Sequence, residues 1–583
     1  MRIAALALPL LLVAAAPPPS PHDALARLFR DSNEAMLARN PVEGISRGDR
    51  RFLAQIGDSY SDAHYAAEKA ADEAELSRLH AIDRATLNPT DRIAYDTFET
   101  AKRIDLAGYA PSLLAVSSVM PINHFYGLPQ SYADLSSGQG AAPYKTVADY
   151  QAASRRNAAF GAQVDVVIAQ FRKGLAKGVV EPRLVVANMI DQLDAQTKGG
   201  VEASPYAGPL KSAPTPAIAA AYRGSIEHDV LPPLVRLRDF LRNDYLPHAR
   251  ETVGLGALPG GAADYRYLIE QNTTLPLSAD EVHRLGLSEV ARITGEMEAV
   301  KTKLGFQGDL PAFFRHMSSD LKFAPPSRAW LETRYRQIGA TIDAHIPAQF
   351  SLVPKTRLEI RPTPAYREKN SAGGEYMQGT PDGSRPGVFY YNGYDLPTRF
   401  TWDMDTLYLH EAVPGHHFQI SIAQENAALP DFMRFGGNTA YVEGWALYAE
   451  TLWPELGVET DPAARFGGLN DEMLRAMRLV VDSGIHAKGW SRDQAIQYML
   501  DHSAMGRADV VAEVERYIAI PGQALAYKVG QLTILREKAK ARKAMGASFD
   551  PRAFHREVLD TGALPMPVLE RKLDDWIAAG GPR

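Results

Sequence analysis

The chain has 583 residues, 45% of them hydrophobic and 23% charged, with a net charge of −6, an ordinary globular composition long enough for a large core. The mild acidity and the lack of any long Lys/Arg run exclude nucleic acid as a partner, and no basic amphipathic stretch supports a membrane-surface role. With no cysteine, the chain must rely on packing rather than disulfides, and it has no residue to carry a lipid.

Residues 1–16 read as a signal peptide: Met1-Arg2 is a short positive start, Ile3 to Val13 an apolar run and Ala14-Ala15-Ala16 a small-residue cleavage site. The run is too short to span a bilayer, so the expectation is a periplasmic or secreted protein with no stable membrane insertion after signal removal. Pro17 directly after the alanines leaves a retained anchor as the alternative. Residues 21–250 form an N-terminal helical region, seen in Ala66 to Leu76 and in the apolar spacing of Val164 to Ala169. Gly199 to Pro216 reads as a surface loop within it, and Gly254 to Gly261 as a second break. Residues 251–583 form the catalytic region, continuous with the first as one body. Ser278 and Glu281 make a capping box that opens a helix through Ile293. Between Arg357 and Arg399, prolines and glycines exclude a long helix, and Gly387 to Asn392 is a short β-type run, the best candidate for a small sheet. Helices resume at Thr401, with turns at Gly436-Gly437-Asn438 and Pro521-Gly522.

The chemistry concentrates in His410-Glu411-Ala412-Val413-Pro414-Gly415-His416-His417. A catalytic zinc takes three protein ligands and leaves a fourth position open. On a helix, His-Glu-x-x-His places two histidines on one face with the glutamate as general base. Here the second histidine arrives two residues late, at His416, or three late, at His417. On a regular helix six residues turn about 600° and point His416 away, while seven rise about 10.5 Å and carry His417 too far. Pro414 cannot continue the helix and Gly415 permits unusual backbone angles. A bulge or break is therefore expected, and one that absorbs two residues brings His416 to the ligand position, with His417 as the alternative. The third ligand should be Glu443 on the helical segment Thr439 to Trp453. Glu450, seven residues on and on the same face, is an outer partner that could fix a histidine tautomer.

These stretches, together with Tyr441 to Tyr448, Gly484-Ile485-His486, Arg385-Pro386-Gly387 and Pro521 to Lys528, resemble a bacterial family called domain of unknown function 885, grouped with the gluzincin-like metallopeptidases. The resemblance implies a mainly α fold: a large helical metallopeptidase-like body with a small β-sheet next to a zinc-binding helix pair. Relative to the peptidase pattern, two residues are inserted before His416. Tyr527 looks like the tyrosine that stabilises the oxyanion in related helical peptidases.

Further candidates are polar groups placed by spacing. Arg478, Asp482 and His486 recur every four residues and share one helix face, either a cleft wall with His486 reaching substrate or a solvated stripe. Val388 to Asn392 could pair with a peptide by edge addition or pack as plain sheet. Arg361 and Arg385 could bind a substrate carboxylate. The expectation is an exported zinc-dependent hydrolase of peptide or amide bonds acting on short peptides. One Zn2+ is held by His410, His416 and Glu443, Glu411 is general base, and Tyr527 and His486 stabilise the intermediate. The competing expectation is a non-enzymatic exported binding protein with a structural or degenerate metal site, closed by His417 as fourth ligand.

Overall fold

A computed structural model describes residues 19–581 except 365–367, 369–371 and 384; the signal-peptide reading of residues 1–16 lies outside the described residues. The fold is mainly α, with a single three-stranded sheet among the described residues. Helix ends follow local chemistry. Ser278 accepts from the Glu281 amide while Glu281 reaches back to the Ser278 amide, and the helix so opened runs Ala279–Lys303, beyond the expected Ile293. Thr146 and Asp149 cap the long helix Val147–Lys177 in the same way, and Gly178 ends it at φ 68°. The expected loop from Gly199 to Pro216 is instead built of short helical turns, Gly200–Ala203 and Pro205–Ser212, before the helix Pro216–Ser225. Prolines at the first helical position start two of these rather than breaking them.

Two apolar cores join early and late parts of the chain. One places Phe160, Val167 and Leu237 with Phe466, Met477 and Val514; the other places Leu28 and Phe98 with Tyr408, Trp445 and Trp576. Helix Pro462–Lys488 packs along Ala279–Lys303, and Thr439–Glu450 packs along Ala526–Met545. The second pair touches at backbone level: a Cβ on Gly444 would sit 2.5 Å from Gly530 Cα. That contact fixes the height of the neighbouring Glu443. Among the described residues, no helix is long and apolar enough to cross a membrane.

The sheet contains β1 (Leu358–Pro362), β2 (Gly374–Met377) and β3 (Gly387–Tyr391) in the order β1-β3-β2, with β1 parallel and β2 antiparallel to β3. The β-type run near Gly387 is thus a strand, but it is the central one. Its ladder positions are filled on both sides, so edge addition there is ruled out; β1 and β2 are the outer strands. The sheet lies beside helix Met404–Glu411, where Gly374 leaves no room for a Cβ nearer than 3.1 Å to Leu407.

Candidate metal centre

The helix Met404–Glu411 stops one residue after His410, and a new helix, His416–Glu425, starts after the turn Ala412 to Gly415. Of the expected bulge or break, the structure has the break. The Val413–Pro414 peptide is cis. A Cβ on Gly415 would lie 1.9 Å from the His410 carbonyl oxygen and 2.4 Å from that of Leu409, so only glycine lets the chain fold back so tightly. Trp445, on helix Thr439–Glu450, donates from Nε1 to the Pro414 carbonyl at 2.8 Å. The turn is thereby held by the helix that carries Glu443.

This turn brings His410, His416 and Glu443 together, with one ligand atom from each lying within 4.8 Å of the others. Glu443 Oε2 is 3.8 Å from His410 Nε2 and 3.6 Å from His416 Nε2. Two atoms on one tetrahedral ion at bonds of about 2.0–2.1 Å would stand roughly 3.3 Å apart, so small movements suffice. The rings of His410 and His416 are perpendicular, with centroids 4.9 Å apart. His410 Nδ1 donates to Glu450 Oε1 at 2.7 Å, which leaves Nε2 unprotonated in the neutral ring and turned toward the cluster. The Gln419 amide lies 2.9 Å from His416 Nδ1; ligation through Nε2 needs the proton on Nδ1, which the Gln419 amide oxygen, otherwise buried without a partner, can accept once the amide is turned over. Two imidazole nitrogens and a carboxylate oxygen are a donor set that suits zinc, and the site fits the ion.

The electrostatics agree with mutual dependence. Burial pushes the Glu443 carboxyl up, but hydrogen bonding and charge from His410 and His416 outweigh it and hold the group well below the usual carboxylate range. Burial lowers His410, yet Glu443 and Glu450 raise it to about 9. Glu411 ends its helix half-buried, and its carboxylate has no hydrogen-bond or ion-pair partner among the described residues. Tyr527 is half-buried within electrostatic reach of Glu443; burial, followed by that carboxylate, pushes its phenol up, so it remains a donor at neutral pH. Glu443 keeps 19% side-chain exposure although burial dominates its environment.

Other predicted residues are placed elsewhere. His417 faces the sheet: its Nδ1 lies 3.0 Å from the Tyr376 hydroxyl, and burial lowers it to about 4. His486 is fully buried, accepts from the Leu255 amide at Nδ1 (3.1 Å) and donates from Nε2 to the Tyr517 carbonyl at 2.9 Å. Both nitrogens are committed to backbone, so it cannot reach an intermediate. Asp482 accepts from the Tyr265 hydroxyl and the Gly522 amide. Arg361 pairs with Glu359 on the exposed strand β1, and Arg385 donates to the Gln378 carbonyl. Trp445 lies inside a quoted motif and Gln419 two residues beyond another, yet sequence reasoning gave them no role; Gln419 follows His416 by one helical turn, a spacing that could have revealed it.

Fold and site define a mainly helical protein with a candidate metal centre of two histidines and a glutamate. The chain belongs to the family described as bacterial protein of unknown function (DUF885), whose model matches residues 41–573. It is similar to a candidate lipoprotein of Colwellia psychrerythraea (26% identity, TM-score 0.88, covering 96% of this chain and 100% of that one). The fold is shared with a candidate lipoprotein of unknown function from Shewanella oneidensis at 18% identity and TM-score 0.73, covering 94% of this chain and 99% of that one. No curated protein matches the chain.

Proposed function

We propose that the protein is an exported zinc-dependent hydrolase of peptide or amide bonds in short peptides. The observation that carries the reading is the convergence of His410, His416 and Glu443, with the unpartnered carboxylate of Glu411 next in the chain to the first ligand. Bound there, zinc would supply a Lewis acid that acidifies water and polarises a carbonyl. Glu411 takes a proton from the attacking water on its carboxylate and returns it to the departing nitrogen. Glu450 holds His410 in the tautomer that leaves Nε2 free. Tyr527, kept protonated by its surroundings, donates its hydroxyl proton in a hydrogen bond to the developing oxyanion. Export is supported by the similarity to candidate lipoproteins, although this sequence has no cysteine.

The test is zinc content and cleavage of a mixed short-peptide library, measured together on wild type and Glu411→Gln. Wild type should bind one zinc and release products; the variant should keep the metal and lose about 100-fold or more of the rate. A wild-type protein that holds zinc tightly and cleaves nothing sinks the hydrolase reading. A fully active variant removes Glu411 as base.

A further inference from the structure

Two guanidinium groups near the candidate metal centre share one carboxylate. Arg478 donates from Nε and Nη2 to Glu513 Oε2 at 3.3 and 3.0 Å, and Arg516 Nη2 donates to the same oxygen at 2.9 Å. The Tyr517 hydroxyl is a further donor to it. Arg478 is 5% exposed, and its Nη1 is buried without a partner. Arg516 Nη1 donates to Gln523 Oε1 at 2.8 Å. The other nearby carboxylates do not fill the gap. Asp482 bonds Tyr265 and Gly522, and burial raises it to about 7. Arg475, on the same helix, has its own partners in Asp471 at 3.1 Å and Glu450 at 4.0 Å. A buried cation is normally paired and fully hydrogen-bonded, so this cluster is short of one anion.

Its position gives that anion a context. The Arg478 guanidinium carbon is 4.3 Å from the centroid of the Tyr527 ring, and Tyr527 is within electrostatic reach of Glu443, Arg478 and Arg516 together. Arg516 and Glu513 keep 18% and 23% side-chain exposure, so the cluster is open to solvent on part of its surface, as Glu443 is. We infer that Arg478 and Arg516 form a subsite for the free terminal carboxylate of a short peptide, beside Tyr527 and the candidate metal centre. This rests on the hydrolase reading and sets its direction: cleavage occurs near the carboxyl end. Guanidinium suits the task because its planar fork matches a carboxylate.

The experiment compares matched N-acylated peptides ending in a free acid or a carboxamide, plus a carboxamide carrying an internal glutamate. Wild type should favour the free acid over the amide by about 10- to 100-fold in kcat/KM, the span of a charge-assisted hydrogen-bond pair. In Arg516→Gln and in Arg478→Lys, which keeps the buried charge, that ratio should fall toward one, with thermal melts checking that each variant folds. Calorimetric binding of the same peptides to Glu411→Gln gives a readout that needs no cleavage. If nothing is cleaved but the free acid still binds preferentially, and Arg516→Gln abolishes the preference, the subsite stands and the hydrolase reading falls. Equal treatment of acid and amide in both assays overturns the subsite, as does a preference that survives Arg516→Gln. Equal preference for the internal glutamate overturns the assignment to a chain terminus.

Discussion

Two sets of histidines occupy this helical body in opposite states. His486 and His555 are fully buried with both ring nitrogens engaged: His555 donates from Nδ1 to the Gln349 carbonyl at 2.7 Å and meets the Tyr448 hydroxyl at Nε2 at 2.7 Å. Burial pushes each of them down to about 3, so they are neutral struts. His410 and His416 each have Nδ1 held by a neighbouring side chain, Glu450 or Gln419, while Nε2 turns toward Glu443. The difference lies in one nitrogen per ring that faces the shared Glu443 carboxylate. Histidine count and helix spacing do not separate the two sets; the hydrogen-bond inventory does.

The largest expected contrast is in metal content. His410→Ala should drop zinc from one per chain to near none, whereas His486→Ala should keep zinc and instead lose about 3 kcal/mol of stability through stranded backbone partners. Elemental analysis and urea melts of the two variants read this directly, and zinc loss from both would erase the distinction. Next is Gly415→Ala, whose Cβ would meet the His410 carbonyl at 1.9 Å. It should weaken zinc more than any outer-partner change and lower the melting temperature; competition with a chelating dye measures the first. Glu450→Gln should follow, with zinc about 10- to 100-fold weaker by the same assay.

The smallest effect concerns pH. A histidine near 6.5 when unfolded and about 3 when folded gives its full contribution above about 6.5. That contribution is lost as pH falls toward 3, because only the unfolded chain takes the proton. Between about pH 7.5 and 5, His486 should therefore cost wild type roughly 2 kcal/mol that His486→Gln does not lose. The stability gap between the two proteins should narrow by that amount in urea titrations, and a constant gap would mean that His486 is not a neutral strut.

Much of this arrangement was legible in the sequence because Pro414-Gly415 leaves few ways to join His410 and His416. Glu443 and Glu450 were readable from their shared helix face. Strand β3 was recognisable as a strand, but strand order depends on distant pairing. Its unbroken apolar run, buried at Gly387, Val388, Phe389 and Tyr391, was the available sign of a central position. The stripe of Arg478, Asp482 and His486 was correctly spaced, yet one helix face meets different neighbours along its length. Leu255 and Tyr517 close over His486, while Tyr527 lies against Arg478. Arg361 and Arg385 were the arginines expected to bind a carboxylate; the unbalanced pair instead lies on helices, and charge imbalance is a property of assembled structure.

The indole bond from Trp445 to the Pro414 carbonyl bears on when the protein can acquire metal. The helices flanking the turn have eight and ten residues, below the roughly 12–15 needed for a helix to persist alone in water. Neither histidine has a fixed position until helix Thr439–Glu450 docks, and the same docking delivers Glu443. Ligand geometry and tertiary assembly are thus a single event. Under the proposed function, a chain exported unfolded would travel without zinc and bind it only after folding at its destination.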